Sequence, residues 1–89
     1  MRRTLKIMGR VQGVGFRWWT RERALAAGVR GTVRNLEDGS VLVDAEGDVE
    51  VLDTFVAELR QGPPAAKVTD IVELAPPDHP LDDDFRIVR

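Results

Sequence analysis

The sequence predicts an α+β fold in the order β-α-β-β-α-β, an antiparallel sheet with two helices on one face. Three observations carry this. Residues 16–27 are rich in helix formers and stop at Gly28. Val49, Leu52, Phe55, Val56 and Leu59 recur at helical spacing, and Gly62-Pro63-Pro64 ends that run. Around these two stretches lie short β-prone runs bounded by turn residues. Two helices placed among strands in this order make the split β-α-β arrangement of the ferredoxin-like fold.

The first strand is expected at 4–11, with Leu5 and Ile7 on one face. A glycine-spaced loop leads into the first helix, at 16–27. Its apolar face is untidy: Phe16, Thr20, Ala24 and Ala27 line one side, and Trp18, Leu25 and Val29 another. Trp18 and Trp19 are consecutive, so they diverge on a helix. The plain reading makes one a core residue and the other a rim residue beside the loop. The sharper reading has one of them touching the organic part of a substrate.

A strand at 29–36 then meets the turn Glu37-Asp38-Gly39-Ser40 and returns at 41–45. This hairpin puts Asn35 near its loop end. Alternation places Thr32 and Arg34 on one face and Val33 and Asn35 on the other. The second helix starts at Gly47-Asp48. A strand at 66–74 carries Val68, Ile71, Val72 and Leu74, whose broken alternation predicts a bulge. His79, in the irregular loop 76–80, is read as an exposed loop residue rather than a catalyst. Asp82, Asp83 and Asp84 are read as solvated carboxylates rather than a metal site. Phe85 to Val88 forms a short closing strand, with Phe85 and Ile87 on one face.

With 89 residues, 43% of them hydrophobic, the chain has material for one domain spanning 1–89 and one modest core. It has no cysteine, so a disulfide framework, a thiol nucleophile and a cysteine metal site are excluded. A reducing cytoplasm is the simplest compartment. Met1-Arg2-Arg3-Thr4 runs straight into strand-like sequence, so no signal peptide is expected. No apolar run approaches the length of a membrane span, and a membrane partner is not expected. A net charge of −2 supplies no general basic field, so nucleic acid is not an expected partner either. Nothing demands more than a monomer.

The functional signal is Gly9-Arg10-Val11-Gln12-Gly13-Val14-Gly15-Phe16-Arg17. Gly13 and Gly15 fall where a strand turns into a helix. Glycine there permits positive φ and close approach of the backbone to a ligand. Successive N–H groups in such a turn form a concave anion nest, and the helix N-terminus adds its own free donors. A cation in the first helical turn opposes the helix dipole unless an anion sits beside it, which marks Arg17. Its guanidinium can grip two phosphate oxygens at once. A P-loop is excluded because no Lys-Ser/Thr follows. A dinucleotide fingerprint is excluded because Trp18 stands where a third glycine belongs. Glycine spacing alone leaves a plain strand-to-helix turn with a surface arginine equally open.

The spelling of 9–17 resembles the signature of the acylphosphatase family. Gly31-Thr32-Val33-Arg34-Asn35, with Asp38-Gly39 just after, resembles that family's second signature. The resemblance covers essentially the whole chain. It implies hydrolysis of small-molecule acyl phosphates to a carboxylate and inorganic phosphate by direct attack of water, with no cofactor and no metal. It implies that the backbone N–H groups of Gln12, Gly13, Val14, Gly15, Phe16 and Arg17, with the Arg17 guanidinium, hold the phosphate. It also implies that Asn35 positions the water and that inorganic phosphate inhibits as well as being released. One departure is visible: tryptophan is common in the family where this chain has Thr32. Since Thr32 and Asn35 take opposite faces, that change should touch packing more than the water site. The alternative is a non-catalytic ferredoxin-like module that binds a phosphate or a partner. The joint presence of Arg17 and Asn35 argues against it.

Overall fold

The computed structural model describes residues 1–89. Its elements are β1 (Arg2–Arg10), α1 (Phe16–Ala27), β2 (Arg30–Asn35), β3 (Val41–Glu46), α2 (Val49–Gln61), β4 (Lys67–Leu74) and β5 (Phe85–Ile87). The five strands form one sheet in the order β4-β1-β3-β2-β5. The first four pair antiparallel, as expected, but β5 joins β2 in parallel, so the sheet is mixed rather than wholly antiparallel. Apolar alternation identifies β5 as a strand but says nothing of its neighbour. Its Phe85, Arg86 and Ile87 lie opposite Gly31, Thr32 and Val33.

Register decides what each face carries. Leu5, Val43 and Val33 form one row across β1, β3 and β2, and Ile7, Val41 and Asn35 form the next. These rows lie under the helices and belong, Asn35 apart, to one buried cluster with Phe16, Ala24, Leu52, Phe55, Leu59 and Phe85. The alternate rows, Thr4–Asp44–Thr32 and Lys6–Leu42–Arg34, lie on the opposite face. Here Asp44 is buried by a two-pronged pairing with Arg2, at 3.0 and 2.7 Å, and by the Thr4 hydroxyl.

The amphipathic stripe of α2 is buried through Leu52, Phe55, Val56 and Leu59, each worth about 1.5–3 kcal/mol of hydrophobic burial. Val49, at the first position of that stripe, is instead exposed, because it stands at the helix's outer end. In α1 the buried residues are Phe16, Thr20 and Ala24. Ala27, expected on that side, is turned outward. The cause is the helix stop: Gly28 takes φ 74°, its N–H donates to Leu25, and the Val29 N–H donates back to Ala24. This reversal sends Val29 into the core in place of Ala27.

The expected bulge is present in β4. Met8 pairs with Asp70 but Gly9 with Val68, which leaves Thr69 as the extra residue. Gly9 has φ 123°, and a side chain there would collide with the Lys67 carbonyl. His79 lies on an exposed loop, where its backbone carbonyl accepts a hydrogen bond from Arg2. The three adjacent aspartates act separately. Asp82 pairs with Arg86, Asp83 with Arg30, and the Asp84 carboxylate accepts from the Phe85 N–H.

Candidate active site

Strand direction gathers the site. Both β1 and β2 pair antiparallel with β3, and β5 is parallel to β2, so the C-terminal ends of β1, β2 and β5 share one edge of the fold. The loop after β1, Asn35 at the end of β2 and Ile87 at the end of β5 therefore meet.

The loop is anchored by Val11, which is buried in the core. Gly13 and Gly15 have φ 73° and 76°, while no non-glycine residue has positive φ. Residues of negative and positive φ thus alternate from Gln12 to Phe16, as they do in turns whose successive N–H groups bind anions. A side chain at either glycine would meet nothing within 4 Å. Glycine is required there by backbone conformation, not by crowding. None of the N–H groups from Gln12 to Trp18 donates to a protein acceptor; the first that does is Trp19, to Gly15 at 3.0 Å. The orphan donors of the helix start thereby extend those of the loop.

Arg17 enters no ion pair or hydrogen bond with the protein; arginines 2, 3, 21, 23, 30 and 86 are paired, and the other unpaired ones, Arg10, Arg34, Arg60 and Arg89, are exposed whereas Arg17 is half-buried. Asn35 lies on the helix-covered face, and its side-chain Oδ1 is buried without a hydrogen-bond partner. Buried polar atoms left unpaired are rare and costly; Thr20 Oγ1 is the other such atom, and of the two only Asn35 lines a cleft. Gly13, Gly15, Arg17 and Asn35 line one cleft of about 210 Å³, with Val11 and Phe16 as its buried base and Trp18 and Ile87 at its mouth. Successive unpaired N–H groups, a cation and a free amide at one cleft suit an anion with several oxygens and a neighbouring water.

The two tryptophans diverge as the helix requires. Trp19 packs against the core, 5.7 Å from the Phe16 ring and with the Arg23 guanidinium 5.5 Å over its own ring. Trp18 stays exposed beside the loop. The larger cavity of the protein, about 490 Å³, lies across the sheet and is lined by Thr32, Arg34 and Asp44. It holds none of the loop donors, so size does not identify the site. Thr32 lies there, away from Asn35.

One site residue escaped the sequence reading in part. Gln12 contributes a backbone N–H to the loop, but its side-chain Nε2 also donates to the carbonyls of Leu36 and Ser40, at 2.8 and 2.9 Å. That ties the loop to the hairpin next to Asn35. A glutamine in a loop gives no local sign of such a distant partner.

The fold and cleft define a ferredoxin-like α+β protein with an anion-suited backbone loop. The acylphosphatase family model matches residues 3–87. The acylphosphatase of Nitratidesulfovibrio vulgaris is 48% identical over 88 residues, covering 97% of this chain and 88% of that protein. The acylphosphatase of Lactiplantibacillus plantarum is 46% identical over 89 residues, covering 97% and 96%. The crystal structure of acylphosphatase from Bacillus subtilis superposes with a TM-score of 0.87 at 36% identity, covering 99% of this chain and 98% of that one. This chain belongs to the acylphosphatase family. It is accordingly a hydrolase with acylphosphatase activity, and membership implies a small acyl phosphate as substrate.

Proposed function

We propose that the chain hydrolyses acyl phosphates by direct attack of water on phosphorus. The N–H groups of residues 12–17 and the Arg17 guanidinium hold the phosphoryl oxygens. The Asn35 amide orients the water opposite the leaving carboxylate. The water oxygen forms a bond to phosphorus as the bond to the carboxylate oxygen breaks. Its proton passes to a phosphate oxygen or to solvent, because a neutral amide is a poor base. The bonding pair leaves with the carboxylate, a stable anion that needs no strong acid. Catalysis then rests on positioning and charge stabilisation, the two effects that dominate phosphoryl transfer.

The observation that carries this reading is the meeting of unpaired groups: seven successive N–H donors from Gln12 to Trp18 without protein acceptors, an unpaired Arg17 guanidinium, and an Asn35 amide oxygen that accepts no hydrogen bond, with Gly13, Gly15, Phe16, Arg17, Trp18 and Asn35 all lining one cleft. The positive charge for the phosphoryl group comes from Arg17 and the N-terminus of α1, so the mechanism as read uses no metal ion. Inorganic phosphate, presenting the same oxygens, should bind the loop and inhibit. We read the chain as a cytoplasmic monomer whose single domain, 1–89, carries the whole site; light scattering during gel filtration tests the monomer.

The test is hydrolysis of benzoyl phosphate in the presence of a chelator by the native chain, Arg17→Ala and Asn35→Ala. Removing one preorganised donor typically costs about 10²–10³ in rate, and removing the charged clamp should cost at least that. Near-normal turnover by Arg17→Ala would sink the assignment. Competitive inhibition by inorganic phosphate should accompany activity, and its absence would count against the loop.

A further inference from the structure

The cleft has a second surface that phosphate binding does not use. Trp18 and Ile87 come from different elements, the first turn of α1 and the end of β5, yet both line it. They are 63% and 40% exposed, and no other exposed large apolar side chain borders this cleft. Scattered exposed apolar residues are ordinary, but two converging at the mouth of a site are not. Trp18 also differs from its neighbour. Trp19 has the Phe16 ring and the Arg23 cation as partners, whereas the Trp18 ring has neither an aromatic nor a cationic partner.

Topology explains the placement. Arg17 and Trp18 both line the cleft from the first turn of α1. Ile87 pairs with Val33, two residues before Asn35 on the same face of β2. An apolar wall thus borders the site from the Arg17 side to the Asn35 side. The polar side-chain groups lining the cleft are those of Arg17 and Asn35 and the indole N–H of Trp18. With Arg17 and Asn35 engaged by the phosphoryl group and the water, a hydroxyl or carboxylate on the acyl group would lose water against the indole faces and Ile87 with at most one N–H to replace it.

We infer that Trp18, backed by Ile87, sets the substrate class of this site: acyl phosphates whose acyl group is aromatic or otherwise broad and apolar, in preference to small or charged acyl groups. The inference rests on the cleft being the acyl phosphate site. The acyl carbon skeleton lies against the Trp18 face while the phosphoryl group occupies the loop. The contact is made by the part of the substrate remote from the transferred group, so it raises kcat/KM for the preferred substrate without altering phosphate binding.

The experiment compares kcat/KM for benzoyl phosphate and acetyl phosphate in the native chain, Trp18→Ala, Trp18→Phe and Ile87→Ala, with the inhibition constant of inorganic phosphate measured in each. The two substrates differ in intrinsic reactivity, but that difference cancels when each variant is divided by the native chain. Trp18→Ala should lower the benzoyl value about tenfold, equal to about 1.4 kcal/mol, and the acetyl value less than about twofold. Phosphate inhibition should stay within about twofold, and Trp18→Phe should keep most of the benzoyl activity. Ile87→Ala should shift the ratio in the same direction by a smaller factor, and it decides the matter if Trp18→Ala does not fold. Equal losses on both substrates, or no loss on benzoyl phosphate, overturn the inference while leaving the phosphate site standing. A native chain that turns over neither substrate overturns the site reading and this inference with it.

Discussion

Gln12 donates a side-chain hydrogen bond to the Leu36 carbonyl at 2.8 Å, joining the loop that follows β1 to the residue that follows Asn35. The same nitrogen reaches Ser40 at 2.9 Å. The donor loop and the free amide are thereby held in one frame, although 24 residues of chain separate Gln12 from Leu36.

Replacing that clamp should loosen geometry more than fold. In Gln12→Ala the carbonyls of Leu36 and Ser40 each keep another donor, from Gly39 and Leu36 respectively. The stability cost should therefore be about 1–2 kcal/mol, the net worth of the lost bonds. Activity should fall further, by about tenfold or more in kcat/KM, because small misplacements are expensive in preorganised sites. Urea unfolding and benzoyl phosphate kinetics on the same sample measure both. A variant with native kcat/KM would show that the loop holds its place without the clamp.

Asn35→Ala should separate stability from function. Its Oδ1 is buried and unpaired, and such a group costs about 1–3 kcal/mol. Truncation should leave the unfolding midpoint unchanged or raised. At the same time kcat should drop with less effect on KM, the outcome that the proposed role of the amide in orienting the water requires. A change confined to KM would move Asn35 from water positioning to substrate binding.

Gly15→Ala tests the backbone requirement without a steric one. A side chain there meets nothing within 4 Å, yet φ is 76°. Holding a non-glycine residue in that region costs roughly 1–2 kcal/mol. The variant should either lose that much stability or relax the loop. In both cases the inhibition constant of inorganic phosphate should rise, because the N–H groups no longer converge. Unchanged phosphate binding would falsify the nest.

The hairpin turn should carry an acid-sensitive contribution. Lys6 first, then the Ser40 hydroxyl and N–H, hold the Asp38 carboxyl well below the usual carboxylate range. A depressed folded value means the unfolded state binds the proton more readily. The stabilisation is thus complete above the unfolded value of about 3.9 and is lost as pH falls through the folded one. Native chain and Asp38→Asn should differ in denaturant midpoint at pH 7, and the gap should narrow progressively below about pH 4. A gap that stays constant to pH 2.5 would remove Asp38 from the account. Asp38 is largely exposed, so the effect should be modest.

Much of this protein is local, and local features are legible. Both helices show themselves locally: the first through its helix-forming residues and the second through its apolar spacing, each with its stop, Gly28 or Gly62-Pro63-Pro64, close at hand. The α1 limits at 16 and 27 match the expected ones, and the bulge in β4 follows from the broken alternation of Val68, Ile71 and Val72. Gly13, Gly15 and Arg17 are legible for a similar reason: the glycines mark a strand-to-helix turn, and an arginine at the helix start opposes the dipole unless an anion sits beside it, although glycine spacing alone leaves a plain turn equally open. Asn35 is different. Alternation assigns its face of β2, but only resemblance suggests that it belongs with the loop.

Everything that depends on which distant segments meet was settled by packing rather than by local sequence. The parallel seat of β5 beside β2 brings Ile87 to the same edge as Asn35, and no property of Phe85-Arg86-Ile87 itself encodes that neighbour. The pairing of Arg2 with Asp44, and of Gln12 with Leu36, is equally absent from either sequence neighbourhood. The reason is physical. Helix propensity, glycine conformation and apolar periodicity act over a few residues of chain, whereas strand direction and register are set by burying one common core. The sequence alone thus determined the elements, the faces and the donor-rich loop. The packed core decided that the loop, Asn35 and the Trp18–Ile87 wall share one cleft.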